Sequence, residues 1–299
     1  MSLTGLLKSD TEVGKLLRNI ISMVKVDTKP ISEDILNSEL KAKYILRNHS
    51  LASQVGTAFD YLARFVLKHY QYKINGRCIE EYYIAKAGLD VLLHYTENKN
   101  NNYQLVYYTG INIIDDYIKG NNSKEHFKRL VGVSVYFAKL EAIFRNGYTI
   151  DRENTLRYRI DPYVEQELYN QIEIFKTTFE EKFNIKSKPS TIYYNPTFGR
   201  CSKAVGGADA DVIINNTLID FKSSKYLISI EEDYKQLMGY YLFSKVIEHP
   251  AKIDKLCLYF SRYGKFVEYE FTKEDRFYIE KARMSMEFFI DKLLKDNRR

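Results

Sequence analysis

Three aspartates and a lysine interrupt two apolar runs in the stretch GGADADVIINNTLIDFKSSK, Gly206 to Lys225. Asp209 and Asp211 precede Val212-Ile213-Ile214, and Asp220 and Lys222 follow Leu218-Ile219. Carboxylates so close to buried β-structure are costly unless something pairs with them. Asn215-Asn216 tolerates the positive φ of a two-residue turn, so the stretch reads as a hairpin. Counting outward from the turn pairs Ile214 with Thr217, Val212 with Ile219, Asp211 with Asp220 and Asp209 with Lys222. A four-residue loop centred on the same point keeps that register. Because side chains alternate, Asp209, Asp211, Asp220 and Lys222 emerge on one face. Two carboxylates directly opposite lie about 5 Å apart and repel each other. A divalent cation removes that repulsion, and hard oxygen ligands suit Mg²⁺ or Mn²⁺. The plain alternative is a solvated hairpin face on which Asp209 and Lys222 form a weak surface pair.

The elements that must carry these residues follow from periodicity. Leu16, Leu17, Ile20, Ile21 and Val24 recur at helix spacing behind Asp10 as N-cap, within a helical N-terminal region, 1–49. A second helix runs from Ser50 through Tyr70, with Gly56 and Asp60 on one face. Residues 71–187 read as a helical block, with a loop at Glu97 to Asn102. Inside it Ser123 precedes a helix closed by Arg145-Asn146-Gly147, and Asp161-Pro162 starts another. From about 188 the period becomes alternating, which predicts strands at 190–195, 208–214 and 217–223. Ser229 and Glu232 form a capping box before a helix that Pro250 closes, and Gln236 and Tyr240 share a face of it. A hairpin about Tyr263-Gly264 and a helix over 273–295 complete an α/β pattern.

The order of these motifs resembles the PD-(D/E)XK nuclease superfamily, in its RecB-like branch. There a G-x-x-D strand precedes a D-x-K strand, and the next helix carries Q-x-x-x-Y. Here those are Gly206 or Gly207 with Asp209 and Asp211, then Asp220 and Lys222, then Gln236 and Tyr240. The branch has a histidine in a G-x-x-x-H pattern on the first core helix; this chain has Gly56 and Asp60, an aspartate in its place. The resemblance covers 50–70 and 188–299, and it implies a mixed central sheet flanked by helices, with 71–187 as a large insertion. It further implies phosphodiester hydrolysis of DNA assisted by Mg²⁺ or Mn²⁺, in repair, recombination, mobile-element (phage) DNA processing or defence; exonuclease action is favoured over endonuclease action, which the sequence leaves open. Asp211 and Asp220 would hold the metal with help from Asp60 or Asp209. Lys222 would orient or deprotonate the attacking water, and Gln236 and Tyr240 would position the strand. Lys225, Lys235 and Arg262 are the candidate phosphate contacts, although surface solubility explains such residues equally well. A non-catalytic nucleic-acid-binding subunit of the same fold, and a partner-docking role for the helical block, stand as alternatives.

Other chemistries find no support. Three scattered cysteines, Cys78, Cys201 and Cys257, give no CxxC pair for zinc or a disulfide framework and leave an iron–sulfur cluster short of ligands. There is no G-x-S-x-G elbow, the five histidines lack metal spacing, and no G-x-x-x-x-G-K-[ST] loop occurs. A helicase or a recombination or replication protein would therefore be a separate partner. Of 299 residues 45% are hydrophobic and 28% charged, a globular composition, and no run of eighteen apolar residues spans a membrane. The opening residues lack the order of a signal peptide, so the cytoplasm is the expected compartment. The net charge of +6 is compatible with a polyanionic partner.

Overall fold

A computed structural model of the chain describes residues 2–25, 39–77, 81–96, 101–226 and 230–296. Its centre is a five-stranded mixed sheet in the order β1 (Ile192–Tyr194), β2 (Val212–Ile214), β3 (Thr217–Lys222), β4 (Lys255–Phe260) and β5 (Lys265–Glu270). The hairpin register is as counted: Ile214 faces Thr217 and Val212 faces Ile219, with Asn215 left-handed at φ 55°. The turn is also tied to its flanks. Asn215 accepts the Thr191 N–H through its side chain, and the Asn216 carbonyl accepts the N–H groups of Asp254 and Lys255. Strands β3 and β4 are parallel, which requires a crossover, and the other pairs are antiparallel.

The helices, in chain order, are α1 (Leu3–Lys8), α2 (Glu12–Ile21), α3 (Ala52–Asn75), α4 (Ile84–Tyr95), α5 (Asn101–Ile118), α6 (Lys124–Asn146), α7 (Ile150–Arg157), α8 (Pro162–Phe183), α9 (Gly199–Ala204), α10 (Ile230–Val246) and α11 (Lys273–Asp296). Period-2 alternation sorts the sheet residues onto two cores. Val212, Ile214, Ile219, Cys257 and Tyr259 join the apolar faces of α3 through α6 and α8. Ile213, Leu218, Leu256, Leu258 and Phe260 join those of α1, α2, α10 and α11. Within the first layer α3 is buried on nearly every side, with Val55, Phe59, Leu62, Val66 and Leu67 inaccessible, as befits a central helix. Gly88 of α4 meets the Leu140 carbonyl of α6 so closely that any Cβ would overlap it, so glycine sets that crossing.

The capping residues read from sequence stand at Ser123, Asp161 and Gly147. At α2 the cap is Thr11, one residue after the expected Asp10: its hydroxyl accepts the Gly14 N–H. The Ser229 end of the capping box lies outside the described residues. Strand β2 begins at Val212, not 208: Asp211 stands on a bend, and Asp209 makes only an isolated bridge, to Thr197. Helix α8, from the 71–187 block, covers the sheet itself: its Phe175 and Phe179 pack edge-on against Phe221 and Tyr259. No helix among the described residues is long and apolar enough to cross a membrane.

Candidate functional site

Because β2 is three residues long and β3 is six, the sheet has a notch beside the C-terminal half of β3. Asp211 stands at its lip, on a bend, and its carboxylate accepts the Phe221 N–H at 2.5 Å. That N–H points toward the missing part of β2, so the side chain supplies the acceptor that backbone would otherwise provide. The notch opens into a cavity of about 290 Å³ lined by Gly56 and Asp60 from α3, by Asp211, Asp220 and Lys222, and by Gln236 and Tyr240 from α10. The sequence-derived residues Asp60, Asp209, Asp211, Asp220, Lys222, Gln236 and Tyr240 thus share one cavity, although α3 and α10 belong to opposite layers.

The polar contacts form three groups. In the first, Lys222 Nζ lies 2.7 Å from Asp220 Oδ2 and 3.1 Å from Asp233 Oδ1, and donates to Gln236 Oε1 at 3.1 Å. Gln236 in turn donates to the Tyr240 hydroxyl at 2.8 Å, and the Tyr240 ring stacks on Phe198. In the second, Arg64 grips Asp60 through two nitrogens, at 2.5 and 3.1 Å, and also pairs with Glu81, which Lys68 holds from the other side at 2.9 Å. In the third, Arg145 of α6 pairs with Asp209 at 2.8 Å and with Glu141 at 2.6 Å, and Tyr61 donates to Glu141.

This overturns one pairing expected from the register. Asp209 does not face Lys222; it forms an isolated bridge with Thr197 and gives its carboxylate to Arg145. The β2–β3 ladder ends at Val212 and Ile219 and Asp211 stands on a bend, so alternation carries no information as far out as Asp209. Arg262 is likewise no phosphate contact. It is 1% exposed, with its guanidinium committed to Glu167 and to the Ser223 carbonyl. Lys235 pairs with Glu231 at 2.7 Å and lies outside the cavity. Lys225 lies over the rings of Tyr44 and Tyr226, in a neighbouring groove that shares Gly56, Phe221 and Lys222 with the notch. A Cβ on Gly56 would come no closer than 3.9 Å to Ser223, so this glycine does not answer to helix–sheet crowding.

Electrostatics follow from the count of charges. Five carboxyl groups line the cavity (Asp60, Glu141, Asp209, Asp211, Asp220) against three cations (Arg64, Arg145, Lys222). Burial, with Glu141 and Glu81 nearby, raises the Asp60 pKa to about 7 even though Arg64 opposes it. Burial and the charges of Asp60 and Asp220 push Asp211 well above the usual carboxylate range. Burial disfavours the Lys222 ammonium, but Asp220 and Asp233 outweigh it and hold its pKa above the ordinary lysine value. The same burial, with Asp220 beside it, raises the Tyr240 phenol.

Does this set suit a cation? Asp220 Oδ2 is buried, and the Lys222 ammonium at 2.7 Å is its one polar neighbour among the described residues. A buried carboxylate oxygen within a surplus of carboxyl groups fits a hard divalent ion. Among the described residues no three His, Cys, Asp or Glu side chains converge as a finished cage. The reason lies in the second and third groups, where arginines draw Asp60 and Asp209 away.

Sequence reasoning missed Arg64, Asp233, Arg145 and the N-terminal segment. Arg64 stands four residues after Asp60, a helix ion-pair spacing that was there to read. Asp233 precedes Gln236 by three on α10 and so shares its face. Arg145 had no local signal, because it reaches the cavity from a helix distant in sequence. Ser2 and Thr4 also line the cavity, anchored where Leu3 N–H donates to the Gly207 carbonyl. Gly239 of α10 admits this segment, since a Cβ there would lie 3.1 Å from Leu3 and 3.3 Å from Ile21.

No protein-family model matches the chain, and neither the curated proteins nor the solved structures provide a match.

Proposed function

We propose that the chain is a metal-dependent deoxyribonuclease with a PD-(D/E)XK, restriction-endonuclease-like core. The observation that carries this reading is the meeting of Asp211, Asp220, Lys222, Gln236 and Tyr240 around one notch at the carboxyl end of a parallel-paired strand. Ligands in open α/β sheets favour such ends. The mixed sheet between two helical layers supports the same reading.

Asp211 and Asp220 would hold Mg²⁺ or Mn²⁺, with Asp60 or Asp209 joining only on release from Arg64 or Arg145. Such an ion neutralises phosphate charge and lowers the pKa of water. The remaining work falls to the chain's own side chains. Lys222 is held as an ammonium, which suits it to donate toward a phosphate oxygen or orient water and argues against its acting as a base. Gln236, bridging Lys222 and Tyr240, fixes the ammonium's direction. Without a cation, the surplus of carboxyl groups would repel a phosphodiester.

Exonucleolytic action in repair, recombination, phage or other mobile-element DNA processing, or defence, beside a separate helicase or recombination or replication protein, completes the proposal. The deciding assay offers labelled single-stranded, linear duplex and closed circular DNA to the protein with Mg²⁺, Mn²⁺ or EDTA. Metal-dependent loss of label, faster on linear than on circular DNA, is expected; no cleavage with either metal overturns the proposal. A second reading, a non-catalytic nucleic-acid-binding subunit, is favoured by one observation: Asp60 and Asp209 are each engaged by an arginine. DNA binding without cleavage in the same assay would select it.

A further inference from the structure

A second cavity, of about 610 Å³, lies between the C-terminal half of α3, the end of α5, the start of α6 and α8. It shares no residue with the acidic notch. His69, which lines it from α3, stands nine residues past Asp60, about 13 Å along the helix axis.

One wall is aromatic. The Tyr117 ring packs on His69 at 4.9 Å and on Phe127 at 5.7 Å, and Phe127 packs on Tyr169 at 5.8 Å. His69 is 3% exposed. Its Nδ1 lies 2.9 Å from the Tyr117 carbonyl, which can only accept, so Nδ1 carries the proton. Burial lowers the His69 pKa, leaving the ring neutral and Nε2 an acceptor to which nothing donates among the described residues.

The rim is cationic. Lys73, Lys124, Lys176 and Lys186 stand against a single carboxylate, Glu173. Lys176 pairs with Glu173 at 2.6 Å and lies over the Phe127 ring, while Lys186 lies over Tyr70. Lys73 and Lys124 have no acidic partner among the described residues. Lys124 also opens α6, a 23-residue helix whose cap, Ser123, takes the His126 N–H and leaves the earlier N–H groups uncommitted. Like charges gathered around a cavity repel one another, and an anion relieves that repulsion. A helix N-terminus beside unpaired ammonium groups suits phosphate in particular.

We propose that this cavity binds a nucleoside phosphate, its base against the Tyr117–Phe127–Tyr169 wall and its phosphates at Lys73, Lys124 and the start of α6. His69 Nε2 accepts from an amino or imino N–H of the base. The volume falls within the usual range for small-molecule sites, roughly 300–1,000 Å³, and the aromatic wall faces a concavity of that size. A single nucleotide suits it better than a nucleic-acid strand. The assignment does not depend on the nuclease reading.

The test is calorimetric titration of the full chain, in EDTA, with the common nucleoside triphosphates, inorganic triphosphate and adenosine. At least one nucleoside triphosphate should bind and raise the melting temperature, with inorganic triphosphate and adenosine each weaker. Reversing charge at the exposed pair Lys73→Glu and Lys124→Glu should weaken nucleotide binding by roughly tenfold or more, with an unchanged circular dichroism spectrum. Tyr169→Ala should weaken nucleotide but not triphosphate. Asp220→Asn should bind like the wild type, which separates this cavity from the notch. Three results overturn the assignment: no nucleoside triphosphate binding at millimolar concentration, inorganic triphosphate binding as tightly as nucleotides, or nucleotide binding indifferent to the double reversal. So does a fourth, in which the double reversal weakens single-stranded oligonucleotide binding while mononucleotides bind neither protein.

Discussion

The Asp211 carboxylate accepts the Phe221 N–H at 2.5 Å, where the β2–β3 ladder would otherwise have continued. A side chain replaces a backbone rung, and the space that the absent strand leaves is the cavity. Asp211 is therefore both the end of the sheet and a wall of the site.

Asp211 and Asp209 should differ sharply. Asp211→Ala should weaken Mn²⁺ binding, followed by calorimetric titration, far more than Asp209→Ala, whose main effect is to release the half-exposed Arg145. The reverse order would move the cation to the Asp209 side of the notch.

Asp220→Asn and Lys222→Ala should each severely impair cleavage with the fold intact, for different reasons. Asp220→Asn should raise the metal concentration needed, because it removes the negative charge of a buried carboxylate in the cavity wall. Lys222→Ala should bind metal normally yet lower kcat by roughly 10²–10³-fold, the loss seen when one donor to developing charge is removed. Activity surviving both substitutions would dismiss the site.

Stability should fall with rising pH in metal-free protein. Asp60 is raised from 3.8 to about 7 and Asp211 is raised well above the usual range, so the folded chain keeps protons that the unfolded chain has lost. Their contribution is complete below about pH 3.8 and fades as pH climbs through 7 for Asp60, and beyond the usual carboxylate range for Asp211. Melting curves from pH 4 to 8 should show this fall, and Asp211→Asn should flatten it. Added Mg²⁺ should stabilise more near pH 8 than near pH 5, because it must displace those protons.

Much of this arrangement was legible in the sequence. The Asn215-Asn216 turn between two short apolar runs set the hairpin register, since a two-residue turn fixes which residues face each other. Alternation stops being informative where the ladder ends, and Asp209 lies beyond the bend at Asp211, which is why the count failed there. Arg64 was within reach through its spacing from Asp60. Arg145, and the way α8 covers the sheet, depend on contacts between segments far apart in the chain, and local pattern does not encode those.

The two arginines at the notch should contribute unequally to stability. Arg64 is buried, and replacing it by Met strands Asp60 and leaves Glu81 to Lys68 alone, a loss of about 3–5 kcal/mol by urea denaturation. Arg145→Met, at a half-exposed pair, should cost about 1 kcal/mol or less. The Arg64 variant is the informative one for Asp60. If it binds Mn²⁺ more tightly than wild type despite its lower stability, the guanidinium competes with the cation; unchanged affinity would leave Asp60 a purely structural carboxylate.

The notch has one further consequence, for how the molecule comes apart. Its walls are drawn from both hydrophobic cores, Asp60 from one helical layer and Gln236 and Tyr240 from the other, with Asp211 and Asp220 in the sheet between. An ion held there acts as a rivet through the sheet, so the two layers lose the freedom to open separately. Amide exchange in α3 and α10, on opposite faces, would then slow in step as the ion binds.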